Sequence, residues 1–307
     1  MKIVLLDSLT FGDTDLSGFD SLGDVVVYKT TSAEETQSRI EDADVVVTNK
    51  VVLTRDHMQN SPSLKLVCVA ATGTNNVDLI AAKERGVEVK NVAGYSTDSV
   101  IQHTFSMLFY LIGHSRHYDE VVKTGSYSKG SIFTDVSHPF FEVKGKKWGI
   151  IGLGSIGRGV ANIAKTFGAE IVYYSTSGVN RTEDFQRTTL DDMLKTCDII
   201  TIHAPLNEKT NNLLDYERLG LCKDGAVVLN LGRGGIINED AVAKIVDEKK
   251  IYFGLDVFTK EPLSQTSPLL SVKNRDNLYL TPHIAWTSVE ARDKLIASVI
   301  ENIKSTF

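Results

Sequence analysis

The chain is short of cysteine, of long apolar runs and of clustered charge, and each shortage narrows what it can be. Among its 307 residues the longest apolar stretch near mid-chain covers only residues 105–112. A bilayer-spanning helix needs roughly 20. The opening segment Met1-Lys2-Ile3-Val4-Leu5-Leu6-Asp7 loses its apolar character at Asp7, too early for a secretory signal. Three cysteines, Cys68, Cys197 and Cys222, form neither a CxxC pair nor a metal-ligand spacing. So sparse and odd a count fits a reducing cytoplasm. The expectation is a soluble, cytoplasmic protein with no membrane partner. Acidic residues outnumber basic ones, 39 to 33, for a formal charge of -6, which argues against nucleic acid as a partner. No run of five or six like charges marks an interaction tail, and no low-complexity linker interrupts the chain.

What remains is an ordinary globular composition, 42% hydrophobic and 23% charged. At roughly 100–200 residues per domain, the length predicts two domains. Short apolar runs at residues 3–6, 25–28, 45–47 and 66–70 alternate with polar stretches such as 32–42 that read as helices. Continuous apolar runs suit strands buried on both faces, hence parallel sheets. The alternation restarts at 148–151 and continues at 171–174, 199–202, 227–230, 253–257 and 278–280. Between the two series lies one long helical segment, 98–123, apolar nearly all round in its first half, as expected of a buried helix bridging two domains. Residues 288–306 read as a last helix that returns to the first domain.

The motif Gly152-Leu153-Gly154-Ser155-Ile156-Gly157 matches GxGxxG. Alone it is a weak signal, but a strand precedes it and a helical stretch follows it. Gly152 permits the tight turn, Gly154 lets backbone approach a pyrophosphate, and Gly157 lets helix pack on strand. The helix start then offers unpaired N–H groups to the anion. The motif thus predicts a bound dinucleotide. The fold expected is α/β with two doubly wound parallel-sheet domains. A Rossmann dinucleotide-binding domain over 99–284 is inserted into a flavodoxin-like substrate domain made of 1–98 and 285–307. An NAD-specific site normally ends its second strand with an acid for the ribose 2′-hydroxyl. Here Ser175 stands at that place, so the cofactor expected is NAD with NADP left open. Arg181 is a possible partner for a 2′-phosphate or simply a surface charge. His203, in Ile202-His203-Ala204-Pro205, ends a strand and borders the cofactor as a wall. Ala204, Pro205, Thr210 and Leu231 join it as candidate cofactor contacts.

Three further segments set polar residues at or beyond strand ends, where open α/β sheets bind ligands. They are Asn230-Leu231-Gly232-Arg233-Gly234-Gly235, the stretch from Gly254 through Asp256 to Glu261-Pro262, and Leu280-Thr281-Pro282-His283-Ile284-Ala285-Trp286. With Ala71-Thr72-Gly73-Thr74-Asn75-Asn76-Val77-Asp78, their order resembles the D-isomer-specific 2-hydroxyacid dehydrogenase family over nearly the whole chain. Thr48-Asn49-Lys50 and His283-Ile284-Ala285-Trp286 resemble its hydroxypyruvate/glyoxylate reductase (glycerate dehydrogenase) branch. The resemblance implies a catalytic trio of Arg233, Glu261 and His283, with Lys50, Gly73, Thr74 and Trp286 beside Arg233 at the substrate. It also implies that Asp256 contacts the nicotinamide end, and that two copies pair through their cofactor domains as a homodimer.

The chemistry asks for the same three residue types. Reducing a 2-oxo acid needs a hydride at C2 and a proton on the oxygen. Histidine, which titrates near neutral pH, can give that proton and take it back. A neighbouring carboxylate favours the imidazolium and orients the ring. An arginine fork fits the substrate carboxylate and carbonyl, and with these charges no metal is needed. The expected reaction is hydride transfer between NAD(P)H and a small 2-oxo acid, hydroxypyruvate or glyoxylate. A reductase of bulkier 2-oxo acids and a non-catalytic dinucleotide sensor of the same fold are the alternatives. His103, His114 and His117 are expected to be structural or surface residues.

Overall fold

The computed structural model describes residues 1–179, 182 and 184–307; Arg181 lies outside the described residues. The chain splits into two compact units, one of Met1–Ser96 with Thr287–Phe307 and one of Thr97–Trp286.

The first unit is built on five strands: β1 (Lys2–Leu5), β2 (Asp24–Val27), β3 (Val45–Thr48), β4 (Leu66–Val69) and β5 (Glu88–Asn91). All pair in parallel, in the order β2-β1-β3-β4-β5, the flavodoxin-like arrangement. Helices α1 (Ala33–Ile40), α2 (Arg55–Gln59) and α3 (Leu79–Arg85) connect them. Every residue of β3 and β4 is buried, which is why these strands read as unbroken apolar runs. β5, with the sequence Glu-Val-Lys-Asn, is half-exposed at the sheet edge. It escapes the apolar-run signal because an edge strand need not bury both faces.

The second unit holds two helices and then a seven-stranded sheet. Helix α4 (Thr97–Ile112) is followed by α5 (Ser115–Lys123). The strands are β6 (Lys147–Ile151), β7 (Glu170–Tyr174), β8 (Gln186–Arg187), β9 (Ile199–Ile202), β10 (Val227–Asn230), β11 (Tyr252–Leu255) and β12 (Leu278–Leu280). Helices α6 (Ser155–Thr166), α7 (Leu190–Thr196), α8 (Tyr216–Gly220) and α9 (Glu239–Glu248) lie between them. The order β12-β11-β10-β9-β6-β7-β8 is parallel throughout. Its direction reverses between β6 and β9, and that switch point is where such sheets take ligands. Trp148 is fully buried in β6, and its indole N–H donates to the Thr201 hydroxyl of β9 at 3.1 Å.

The single helix expected over 98–123 is two helices. His114 takes a left-handed conformation with φ 46°, which ends α4 and opens α5 in a new direction. Gly113 beside it is the weak helix former that permits the break. α4 buries eight of its residues, whereas α5 buries none, so the buried character stops at the break.

The last helix, α10 (Val289–Lys304), packs on β4 within the first unit. Lys90 of β5 donates to the Asn302 carbonyl and to the Ser305 and Thr306 hydroxyls. Arg292 donates to the Phe11 carbonyl at 2.6 Å and to Asp13 at 2.7 Å.

α1 starts with a reciprocal capping box, Ser32 accepting from the Glu35 amide and Glu35 from the Ser32 amide. Removing such a cap costs about 1 kcal/mol. Ser32→Ala is therefore expected to lower the unfolding free energy by that much, read as a lower urea midpoint with the m-value unchanged; an unmoved midpoint contradicts it.

Candidate active site

The site is assembled from loops at the C-terminal ends of β6, β7, β9, β10, β11 and β12. Three glycines of the turn after β6 do separate jobs, and the geometry distinguishes them. Gly152 has φ 91°, and a Cβ there would come within 2.9 Å of the Ala204 backbone in the loop after β9. A Cβ on Gly157 would collide with the Gly152 carbonyl oxygen and press on Ile150, so α6 can approach β6 only without it. Gly154, the N-cap of α6, has open space on that side. Ser155 and Ile156 form the first turn of α6, Ser155 exposed and Ile156 half-buried. The helix thus begins beside open space with its first amides available to an anion.

That space is a cleft of about 790 Å³ bordered by Gly152, Gly154, Ser175, His203 and Pro205. Both ring nitrogens of His203 are buried and have no hydrogen-bond partner. Burial pushes the imidazole down to about 3, so it is neutral at physiological pH and cannot serve as the acid. An open glycine face, a helix N-terminus and orphaned polar atoms in one cleft fit a dinucleotide. At the end of β7, Ser175 is buried and donates to the Val179 carbonyl at 2.6 Å. Thr176 and Ser177 follow it into the cleft, and Asn207, Glu208 and Lys209 enter from the loop after β9. Sequence reading missed this second group, although it directly follows the His203-Ala204-Pro205 motif.

Thr210 is fully buried. Its hydroxyl donates to the Pro205 carbonyl and accepts from the Asn207 amide at 2.7 and 2.8 Å. It shapes the cleft loop from behind. Ala204 and Leu231 are buried walls.

Two glycines then bring Arg233 into this neighbourhood. A Cβ on Gly232 would lie 2.8 Å from the Ala204 carbonyl, and one on Gly234 would overlap the Phe258 carbonyl. The loop after β10 is therefore pressed between the loops after β9 and β11. Asn230, almost wholly buried, pins it by donating to the Arg233 carbonyl at 2.9 Å and accepting from the Gly232 amide at 3.1 Å. The Arg233 side chain is exposed and donates to the Gly232 carbonyl, with the rest of its fork available.

Glu261 and His283 meet directly. Glu261 Oε2 lies 2.7 Å from His283 Nδ1, while Glu261 Oε1 accepts from the Phe258 amide at 3.0 Å. The carboxylate is thus fixed to the loop after β11 while it orients the ring. His283 has φ 56°, and its amide donates to the Asp256 and Thr281 carbonyls at 2.8 and 3.0 Å.

Asp256 is completely buried. Its Oδ1 accepts from the Thr281 hydroxyl at 2.7 Å and the Ile284 amide at 2.8 Å; its Oδ2 accepts from the Ala285 amide at 3.0 Å. Both oxygens are taken by the chain itself. Through these bonds the carboxylate holds the His283 segment. Trp286, half-buried, ends that segment.

Lys50, Gly73 and Thr74 lie in the first unit. The amides of Asn49 and Lys50 donate to Asp7 at 2.9 and 2.6 Å. That carboxylate sits after β1, at the switch point of its own sheet. Burial pushes Asp7 up while its amide hydrogen bonds pull it down. Lys50 is exposed, and Gly73 and Thr74 occupy the half-buried loop after β4.

A dinucleotide cleft and a histidine–carboxylate pair along one edge of a doubly wound sheet are the equipment of a nicotinamide-dependent oxidoreductase. The chain belongs to the D-isomer specific 2-hydroxyacid dehydrogenase family, whose NAD-binding domain model matches residues 105–285. A hydroxypyruvate reductase of Blautia hydrogenotrophica is 36% identical over 99% of this chain and 96% of its own. An acyclic imino acid reductase solved with NADPH and D-Arg superposes with a TM-score of 0.86 at 29% identity, covering 100% of this chain and 97% of its own. The D-lactate dehydrogenase of Aquifex aeolicus, solved with NAD and lactic acid, gives 0.85 at 25%, covering 100% and 95%. This enzyme is accordingly an NAD(P)-dependent member of the family. Among the described residues, no helix is long and apolar enough to cross a membrane.

The glycine geometry separates folding from binding. Gly157→Ala is expected to lower the melting temperature, because the new methyl meets backbone. Gly154→Ala should melt like the parent yet bind NADH more weakly in a fluorescence titration. Equal behaviour of the two variants would refute this division.

Proposed function

We propose that the enzyme reduces hydroxypyruvate or glyoxylate to the D-2-hydroxy acid, with Arg233, Glu261 and His283 as its catalytic residues. The observation that carries this reading is the 2.7 Å contact between His283 Nδ1 and Glu261. With Nδ1 engaged, Nε2 is the ring atom left to hand a proton to the substrate oxygen. Glu261 keeps the ring in that orientation and balances its positive charge. Arg233 brings a planar fork of donors to the carboxylate and carbonyl of the substrate. Lys50, Gly73 and Thr74 also bind substrate, Gly73 and Thr74 through backbone N–H groups to its carboxylate, and Trp286 lines the substrate pocket. NAD(P)H, when bound along the glycine turn and the His203 cleft, supplies the hydride. The choice of a small substrate is supported by the similarity to the Blautia hydroxypyruvate reductase.

The same reading makes the protein a cytoplasmic homodimer. Support for pairing comes from Ile132, Phe133, Val136 and Phe140, which are 62–89% exposed in one irregular segment after α5. So many large apolar side chains in one place mark an interaction surface. Few cysteines, all of them free and buried, fit a reducing compartment.

The deciding assay follows loss of reduced-nicotinamide absorbance with NADH or NADPH against hydroxypyruvate, glyoxylate and pyruvate. Turnover with hydroxypyruvate or glyoxylate is expected; dinucleotide binding without turnover would point to a sensor. His283→Ala should cut kcat by about 10²–10⁴-fold, the share of a general acid, while NADH binding persists. Arg233→Lys should impair kcat/KM severely despite the retained charge, since the fork is lost. Wild-type kinetics in either variant would remove that residue from the trio. Ser175→Asp is expected to shift preference toward NADH by repelling a 2′-phosphate. An unchanged NADH/NADPH ratio would show that this position does not face the ribose.

A further inference from the structure

The segment that carries His283 is clamped from both sides by one face of α4. Ser99 and His103 are four residues apart, and so stand on the same side of that helix. Ser99 donates to the Ala285 carbonyl at 2.6 Å. His103 Nε2 lies 3.2 Å from the Thr281 hydroxyl and 3.7 Å from Asp256 Oδ1. The clamp therefore reaches the residues on either side of His283.

The protons in this cluster can be assigned. Asp256 Oδ1 is 2.7 Å from Thr281 Oγ1, and an ionised carboxylate only accepts, so the hydroxyl proton points to Asp256. Thr281 Oγ1 then has only lone pairs to offer His103. Nε2 of His103 must carry a hydrogen. The chain runs His103 Nε2–H to Thr281 Oγ1–H to Asp256 Oδ1. The same Oδ1 accepts from the Ile284 amide, and the Asp256 carbonyl accepts from the His283 amide. Burial lowers His103, against the raising influence of Asp256, consistent with a neutral ring donating through one nitrogen.

We infer that His103 is a positioning residue for catalysis. Through Thr281 and Asp256 it holds His283 in its left-handed conformation with Nδ1 against Glu261. A left-handed backbone at a residue with a side chain is disfavoured, and the surrounding hydrogen bonds have to hold it. Remove His103 and the Thr281 hydroxyl is held from the Asp256 side alone, its bond to Asp256 is less firmly aimed, and His283 no longer stays in register with Glu261. Misplacing an acid reduces turnover more than it reduces binding. The inference rests on His283 being the proton donor.

The test compares His103→Leu, which abolishes the donor, with His103→Gln, which keeps an N–H₂ for Thr281. His103→Leu is expected to lower kcat about tenfold, with KM for hydroxypyruvate and NADH affinity within about twofold. His103→Gln should recover most of that loss. Thr281→Val breaks the same chain, so the double variant His103→Leu/Thr281→Val should be no slower than Thr281→Val alone. Multiplying losses, or parental kcat in His103→Leu, overturns the inference. Nitrogen-15 shifts of the His103 ring give a readout independent of turnover. A hydrogen on Nε2 is expected, and one on Nδ1 alone overturns it. His283→Ala in the same series separates the two claims. If His283→Ala is inactive while His103→Leu is unimpaired, only the positioning role fails. If His283→Ala turns over normally, the acid–base reading fails first.

Discussion

A buried carboxylate fixes the geometry on which everything else at the site depends. Asp256 leaves the end of β11 and is sealed from water, where an ionised group survives only if its oxygens are hydrogen-bonded. It finds its partners in Thr281, Ile284 and Ala285, all in the segment after β12. Leaving even one such buried donor unmatched costs about 1–3 kcal/mol, so the two strand ends are locked together. The unusual backbone of His283 is held inside that lock. A histidine placed on a loop thereby gains the rigidity of two adjacent strands.

Glycines do the complementary work of bringing loops close. At Gly152, Gly157, Gly232 and Gly234 a side chain would meet backbone of a neighbouring loop or helix. These contacts stack the turn after β6, the loop after β9, the arginine loop and the Glu261 loop along one sheet edge. Gly154 differs because its missing side chain leaves room for a ligand. The same residue type therefore serves packing at four places and leaves open space at one. His203, neutral and with orphaned nitrogens, closes the cleft as a wall.

The apolar runs made most of the parallel strands legible, because β3, β4, β9 and β10 are buried on both faces and admit only apolar residues. β5 and β8 were not legible, since these two edge strands carry Glu, Lys, Gln and Arg. The continuous helix expected across 98–123 was also misread; a left-handed residue at His114 is decided by packing, and periodicity carries no trace of it. At the site, residue type and position relative to strand ends singled out Arg233, Glu261 and His283. The hydrogen bonds of Asp256 and Thr210 were not legible, because a short polar side chain can face a ligand or turn back to its own backbone.

Sequence by itself determined the kind of chemistry available: a glycine turn ready for a dinucleotide, an arginine fork, a histidine and a carboxylate. These are local properties, written in residue type and spacing. Only the tertiary structure decided which polar groups meet, and so which are left free. It set Glu261 on Nδ1 of His283, enclosed Asp256 among backbone amides, and aligned Ser99 and His103 on one face of α4 beside the His283 segment. The partners lie from 22 to 186 residues apart along the chain. Hydrogen-bond satisfaction in a buried interior is settled by which groups the fold brings within about 3 Å, and no local pattern records that.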